Sequence, residues 1–295
     1  MTLIDFITAQ SARLKEAGVS FGHGTTNAFD EAAWLVTWAL GMPLDALETQ
    51  AQRAITPEEF TKADDIIARR IDSRLPAAYM TKQAWLQNVP FYVDQRTIIP
   101  RSFIAELLAD GEGDGTLDAW LSDKTHAVLD LCTGNGSLAV IAAMAYPEIT
   151  VDATDISDEA LAVARINVDQ HKLGKRITLF KGDLFEKVRG PYDLIVCNPP
   201  YVNADSMAHL PDEYQKEPAL ALAGGDDGMD LVRRILKDAP AYMTRDAVLV
   251  LEIGNEREHF EAAFPRLEVA WLEASAGADQ VLLVTRESLL RAARK

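Results

Sequence analysis

Asn198-Pro199-Pro200-Tyr201 follows directly on the apolar run Tyr-Asp-Leu-Ile-Val-Cys at 192–197. Two prolines lack N–H groups and hold φ fixed, so the backbone is stiff and its carbonyls are free to face a ligand. Asn198 adds an amide with both donor and acceptor. Tyr201 adds a flat face and a hydroxyl. This set suits a planar –NH₂ group attached to a carbonyl or a ring. Such nitrogens are poor nucleophiles because their lone pair is delocalised. Acceptors aimed at both N–H bonds turn the lone pair toward a methyl donor and stabilise the positive charge that develops on nitrogen. Asn198, Pro199 and Tyr201 are therefore the catalytic candidates, and Pro200 joins them around the substrate amide. A rigid turn without function is the weaker reading, given the glycine-rich segment upstream.

That segment is Asp130-Leu-Cys132-Thr133-Gly134-Asn-Gly136-Ser-Leu-Ala139, a G-x-G-x-x-A pattern between an apolar run and a helical one. Its glycines allow a tight turn and close approach of a ligand. A dinucleotide would set its pyrophosphate on the following helix N-terminus, but Asp130 would repel it. S-adenosylmethionine carries a sulfonium and an α-ammonium and no phosphate, which suits a carboxylate. Asp155, with Ile156 beside it, ends the next apolar run 25 residues after Asp130. An acid there would bind the ribose hydroxyls of either ligand. Asp183, in Lys-Gly-Asp-Leu184-Phe185, ends the third run. An acceptor there would take the exocyclic amine of adenine, with Leu184 or Phe185 over the ring. Taken singly, Asp155 also fits a helix cap and Asp183 an ordinary turn.

The elements that must position these residues alternate. From His126, strands are predicted at 127–132, 149–156, 177–183, 192–197 and 247–254, with helices at 137–145 and from Ser157. Runs 269–274 and 280–286 read as a closing antiparallel pair. This βαβα order demands an α/β fold, a mostly parallel sheet covered by helices on both faces, with ligands beyond the strands' carboxyl ends. Residues 1–88 read as helical instead. Thr56-Pro57-Glu58-Glu59 is a capping box with proline at the first helical position, followed by Phe60, Ala63, Ile67 and Ile71 on one face. Leu35, Trp38 and Ala39 form a similar face before Pro43. Residues 89–101 read as a hairpin around Asp94-Gln95, followed by a helix from Ser102 to about Asp110. Gly-Glu-Gly-Asp-Gly-Thr at 111–116 reads as a hinge. The division is a helical domain of the kind that packs or recognises at 1–88, a hairpin and linker at 89–125, and an α/β domain carrying the site at 126–295.

Composition narrows the partners. The 295 residues carry 29 Lys+Arg against 45 Asp+Glu, a net charge of −16. Such a surface disfavours high-affinity binding to a phosphate backbone and favours a basic protein partner, although solubility alone also accounts for it. No apolar run approaches the length of a membrane span, and the start carries acid early, unlike a signal peptide. A cytoplasmic setting is expected. Cys132 and Cys197 belong to no C-x-x-C pair and read as reduced core thiols rather than a disulfide or metal site. His23, between Gly22 and Gly24, reads as a turn rather than a ligand. Gly224-Gly-Asp-Asp-Gly228 lacks a full calcium-loop ligand set and reads as a helix-start turn. Glu252-Ile-Gly254 ends a strand where it could support the Asn198 loop.

The glycine motif, Asp155, Asp183 and Asn198-Pro-Pro-Tyr resemble class I S-adenosylmethionine-dependent methyltransferases that act on planar amines. Among these, the chain is similar over almost its whole length to protein glutamine methyltransferases. Phe21 to Gly24, Asn27, Asp30-Glu31, Ile99-Pro-Arg101-Ser102, Glu106-Leu107 and Asn198 to Val202 look most like the subgroup acting on the third large-subunit ribosomal protein. The release-factor subgroup has Pro-Arg-Pro-Glu-Thr-Glu after the hairpin, whereas here Ser-Phe-Ile-Ala-Glu follows Arg101. Phe103 stands where the ribosomal-protein subgroup often has proline. The resemblance implies a Rossmann-like seven-stranded sheet and methyl transfer from S-adenosylmethionine to the N5 amide nitrogen of a glutamine. It assigns the cofactor to Asp130 through Gly136 (Cys132, Thr133 and Gly134 included), Asp155, Ile156, Asp183, Leu184 and Asn198. It places Asn198 and the Pro199 carbonyl on the substrate amide with Tyr201 beside it, and Arg101-Ser102 and Glu106 near the pocket, Arg101 also toward substrate. Release-factor methylation and exocyclic-amine methylation of nucleic acid remain the alternatives, as does a ribosomal-protein binding module with a vestigial cofactor site.

Overall fold

The structure is a computed structural model that describes residues 1–109, 117 and 119–294. The 111–116 segment, expected to be a hinge, lies outside the described residues.

The amino-terminal part contains α1 (Leu3–Glu16), α2 (Ala28–Ala39), α3 (Ala46–Gln50), α4 (Pro57–Ser73) and α5 (Ala77–Thr81). Local chemistry sets their starts. Thr2 and Asp5 form one capping box, Thr56 and Glu59 another, and Asn27 caps α2 by accepting from the Asp30 amide. Each such cap is worth about 1 kcal/mol. Phe6, Ile7, Leu14, Leu35 and Ile67 are buried together between α1, α2 and α4. Two residues expected on the buried faces lie further out: Trp38 is 40% exposed at the last turn of α2, and Phe60 is 42% exposed, meeting Phe6 edge-on at 5.0 Å.

The hairpin is displaced from its expected place. Its strands are β1 (Gln83–Leu86) and β2 (Val89–Tyr92), paired antiparallel. The chain turns at Gln87 and Asn88, whose φ values are 49° and 59°. A two-residue turn with both φ positive matches the twist of the flanking strands, and Asn at its second position tolerates it. Residues 93–101 form no strand: Asp94 instead closes a turn on Arg96 with its carboxylate. The next helix, α6 (Ile104–Ala109), starts two residues later than the expected Ser102.

The remaining elements are β3 (Ala127–Leu131), α7 (Ser137–Ala145), β4 (Thr150–Asp155), α8 (Asp158–Gln170), β5 (Ile177–Lys181), β6 (Tyr192–Cys197), α9 (Ala204–Ala208), α10 (Asp230–Asp238), β7 (Met243–Glu252), α11 (Arg257–Ala263), β8 (Ala270–Ala274), β9 (Gly277–Thr285) and α12 (Arg286–Ala293). The sheet has seven strands in the order β5-β4-β3-β6-β7-β9-β8. β5, β4, β3, β6 and β7 run parallel, while β9 enters antiparallel between β7 and β8. The expected α/β class and the closing antiparallel pair are therefore present. β6 shows why both faces are covered: Leu194 and Val196 enter one apolar core, Ile195 and Cys197 the other. Such strands read as continuous apolar runs. After β3 the chain builds outward through β4 and β5, then returns to place β6 on the other side of β3. That reversal opens a crevice at the carboxyl ends of β3 and β6.

The end of α8 seats the hairpin, where Gln170 and His171 reach the Pro90 carbonyl and Asn167 holds Tyr92. Asn167 of α8 is fully buried; its Oδ1 accepts from the Tyr92 amide at 2.7 Å, and its Nδ2 donates to the carbonyls of Tyr92 and Asn135. No helix among the described residues is long and apolar enough to cross a membrane.

Candidate active site

A cavity of about 300 Å³ lies in the crevice beyond β3 and β6. It brings together most of the residues singled out in the sequence. Cys132, Thr133, Gly134, Asp155, Ile156, Asp183 and Leu184 line one end. Asn198, Pro200, Arg101 and Ser102 line the other. Asp130, Gly136, Pro199 and Tyr201 are not among its lining residues.

The turn after β3 is tightly wound. Cys132, Gly134 and Gly136 have φ of 58°, 56° and 81°. At Gly136 a side chain would also meet Ala164 of α8 at 3.2 Å, so this glycine lets the turn and α8 pack closely. Asp155 at the end of β4 fastens the turn, accepting from the Gly134 amide at 2.9 Å and the Ser157 amide at 2.9 Å. Burial raises its carboxyl above the ordinary range against these amide bonds.

Asp130, expected beside the ligand, is wholly buried; it accepts from the Thr133 hydroxyl at 2.6 Å and the Ala139 amide at 3.0 Å and so braces the turn and the first turn of α7. Burial pushes its carboxyl up to about 7. Its Oδ1 has no partner among the described residues, nor do the buried Asn135 Nδ2 and Thr154 Oγ1. Asn135 and Thr154 both line the cavity.

These features fit S-adenosylmethionine. Two carboxylates, Asp155 and Asp183, line the cavity, and each lining guanidinium is already held by an acid: Arg234 by Asp183 at 2.8 Å, Arg96 by Asp94 at 2.8 Å and Arg101 by Glu217 at 2.7 Å. A cation without phosphate suits that balance. Ile156 is 51% exposed and offers an apolar flank for a ring.

At the other end, the Asn198 carboxamide is half-buried and has no hydrogen-bond partner among the described residues. Tyr201 turns away from the cavity. Its hydroxyl donates to Glu252 Oε1 at 3.3 Å, and its ring lies so close to Gly254 that a side chain there would sit 2.4 Å from Cε2. Glu252 also accepts from the Ser102 hydroxyl at 2.5 Å and the Phe103 amide at 2.9 Å. Burial pushes its carboxyl up to about 7. The support of the Asn198 loop expected from Glu252 is thus a carboxylate joining three segments. The 224–228 turn before α10 also wraps this loop, pairing Gly224 with Val202. Glu106, expected near the pocket, lies elsewhere and accepts from Ser275.

Sequence reasoning missed the charged groups behind the substrate end. Glu217 accepts two guanidinium bonds from Arg101 at 2.7 Å and one from the Ile99 amide at 2.9 Å, while Arg101 also donates to the Ile99 carbonyl at 3.0 Å. Arg70 of α4 is wholly buried; it donates to Glu31 at 2.7 Å, Glu213 at 3.2 Å and the Ser20 carbonyl at 3.1 Å. The His23 ring packs against Tyr214 with centroids 4.2 Å apart and planes tilted by 52°, and a side chain at Gly22 would sit 2.7 Å from the Tyr214 hydroxyl. Gly22-His-Gly24 is therefore a seat for the 213–217 segment. Charged residues at these positions look like surface residues in the sequence; only the fold makes them interior.

The family described as Methyltransferase small domain matches residues 114–212. The catalytic domain of hMettl16, solved with MAT2A 3′UTR hairpin 6, superposes with a TM-score of 0.50 at 15% identity, covering 77% of this chain and 81% of that one, a likeness of fold alone. Ribosomal protein uL3 glutamine methyltransferase of Bordetella pertussis is 53% identical over 98% of this chain and 96% of its own length. The protein of the same name from Burkholderia pseudomallei is 48% identical over 98% and 95%. That of Neisseria meningitidis serogroup A is 48% identical over 98% and 94%. With about half of its residues shared along nearly the full length of each of these relatives, and with this sheet and crevice, the chain belongs to the ribosomal protein uL3 glutamine methyltransferase family.

Proposed function

We propose that the protein transfers a methyl group from S-adenosylmethionine to the side-chain amide nitrogen of a glutamine in ribosomal protein uL3. The observation that carries this reading is the unpartnered Asn198 carboxamide, which lines one cavity with Asp155. When bound, S-adenosylmethionine supplies an electrophilic methyl group on its sulfonium. Asp155 holds the ribose; Ile156, Leu184 and Asp183 take the adenine region; Cys132, Thr133 and Gly134 line the rest. Asn198 Oδ1 and the Pro199 carbonyl accept the two N–H bonds of the substrate amide, which orients its nitrogen lone pair and stabilises charge on it. Pro200 walls the amide in. The excess proton leaves the product amide afterwards, so no strong base is needed. Tyr201 acts from behind by fixing the turn.

Residues 1–88 choose the substrate in this reading, and residues 126–295 carry the chemistry. The net charge of −16 suits a basic ribosomal protein in the cytoplasm better than nucleic acid.

The test is labelled S-adenosylmethionine with purified uL3, a release factor, and ribosomal RNA in parallel. Label on a glutamine of uL3, located by mass spectrometry, supports the reading. Label chiefly on the release factor or on RNA replaces it, and no label on any of them favours a binding module.

A further inference from the structure

Glu217 lies outside both sequence motifs, yet it joins two walls of the cavity. Ile98, Pro100 and Arg101 line one wall; Pro218, Leu220 and Ala221, directly after Glu217, line the other. The Glu217 side chain has 0% exposure, and its carboxylate accepts two guanidinium bonds from Arg101 and one from the Ile99 amide, all on the first wall. His23 Nε2 stands 3.8 Å behind it, from the helical part of the chain. Burial alone would push this carboxyl up, but Arg101 and His23 hold it at about 2, so it stays ionised.

Arg101 explains why such a clamp matters. A guanidinium carries five donors and no acceptor. The same cavity holds the free Asn198 carboxamide, the acceptor that the proposed reaction needs for the substrate amide. Released from Glu217, Arg101 keeps its 3.0 Å bond to the Ile99 carbonyl, and its freed donors would compete for the Asn198 acceptor in the same cavity. We infer that Glu217 is a positioning residue for methyl transfer to the protein substrate: it fixes the spacing of the 98–101 and 218–221 walls and keeps Arg101 off the Asn198 acceptor. The inference rests on the proposed reaction at this site.

The experiment compares wild type, Glu217→Gln, Glu217→Asp and the double variant Glu217→Gln/Arg101→Gln. It measures the cofactor Kd, the KM and kcat for uL3, and the melting temperature. Wild type must first label uL3; if it does not, the proposed function fails and not the role of Glu217. Charge-assisted hydrogen bonds are at stake, so Glu217→Gln should raise KM for uL3 about tenfold or more, with cofactor Kd nearly unchanged. Glu217→Asp should recover part of the loss, and the double variant should lie nearer wild type than Glu217→Gln does. An unchanged KM, a cofactor Kd that rises in step with KM, or a double variant no better than Glu217→Gln would overturn the inference. If Glu217→Gln does not fold, Glu217→Asp against wild type carries the same comparison of KM with Kd.

Discussion

The Tyr201 hydroxyl donates to the Glu252 carboxylate across 3.3 Å, and through this pair the Asn198 turn is tied to the end of β7. Neither residue lines the cavity. Both hold a residue that does: Tyr201 through the turn, Glu252 through Ser102.

Glu252 makes stability depend on pH. Its folded carboxyl is raised from 4.5 to about 7 by burial, so the folded state binds the proton more tightly than the unfolded chain. Its stabilising contribution is full below 4.5 and is lost as pH rises through 7, a change of about 3 kcal/mol at most. Asp130, also raised to about 7, acts in the same direction. Glu252→Gln keeps acceptors for Ser102 and Phe103 but removes the titration. Melting temperature should therefore fall less steeply from pH 5 to pH 8 in the variant. Parallel curves for the two proteins would show that Glu252 does not titrate there.

Asn198→Ala removes the free carboxamide and leaves the glycine turn alone. Losing one preorganised group of this kind costs about 10²–10³ in kcat. Turnover on uL3 should nearly vanish while cofactor binding, read by calorimetry, stays measurable. Retained turnover would sink the role given to Asn198.

Gly254→Ala tests the packing of Tyr201 without touching a polar group. Gly254 has φ of 54°, and the new methyl would sit 2.4 Å from the Tyr201 ring. Overpacking and left-handed strain together should cost about 3 kcal/mol in a denaturant titration. Turnover should drop further than stability alone predicts, because the displaced ring carries the Asn198 turn. Wild-type stability and rate together would mean that the ring moves freely.

Salt separates attraction from mere solubility in the charge of −16. Raising salt from about 0.1 M to about 1 M shortens screening from about 10 Å to about 3 Å. If the acidic surface draws in a basic substrate, KM for uL3 should rise while cofactor Kd holds. Indifference of KM to salt would return the charge to solubility.

The sheet was legible because its signals are local. The run 192–197 matches β6 to the residue, and Ser137–Ala145 matches α7. Thr56 and Glu59 announced α4 within four residues. The hairpin went astray because both Val89–Tyr92 and the Ile98-Ile99 stretch look like strands, and the turn lies at Gln87-Asn88, which carries no glycine to mark it. Asp130 was found, but its burial was not, since nothing local separates a carboxylate facing a ligand from one bracing a helix. Glu217 was missed because its partner Arg101 is 116 residues away, and Glu213 because Arg70 is 143 away. Single residues at such distances leave no period or spacing to detect.

The Asn167 clamp has a consequence for synthesis. The hairpin emerges from the ribosome complete, but the side chain that seats Tyr92 is made 75 residues later. At about 5–20 residues per second, that is a wait of about 4–15 s. During it, the helical part has its own core but no surface to dock on. The helical part waits longer still for its own partners, because Glu213 and Glu217, which meet Arg70 and His23, are made after Asn167.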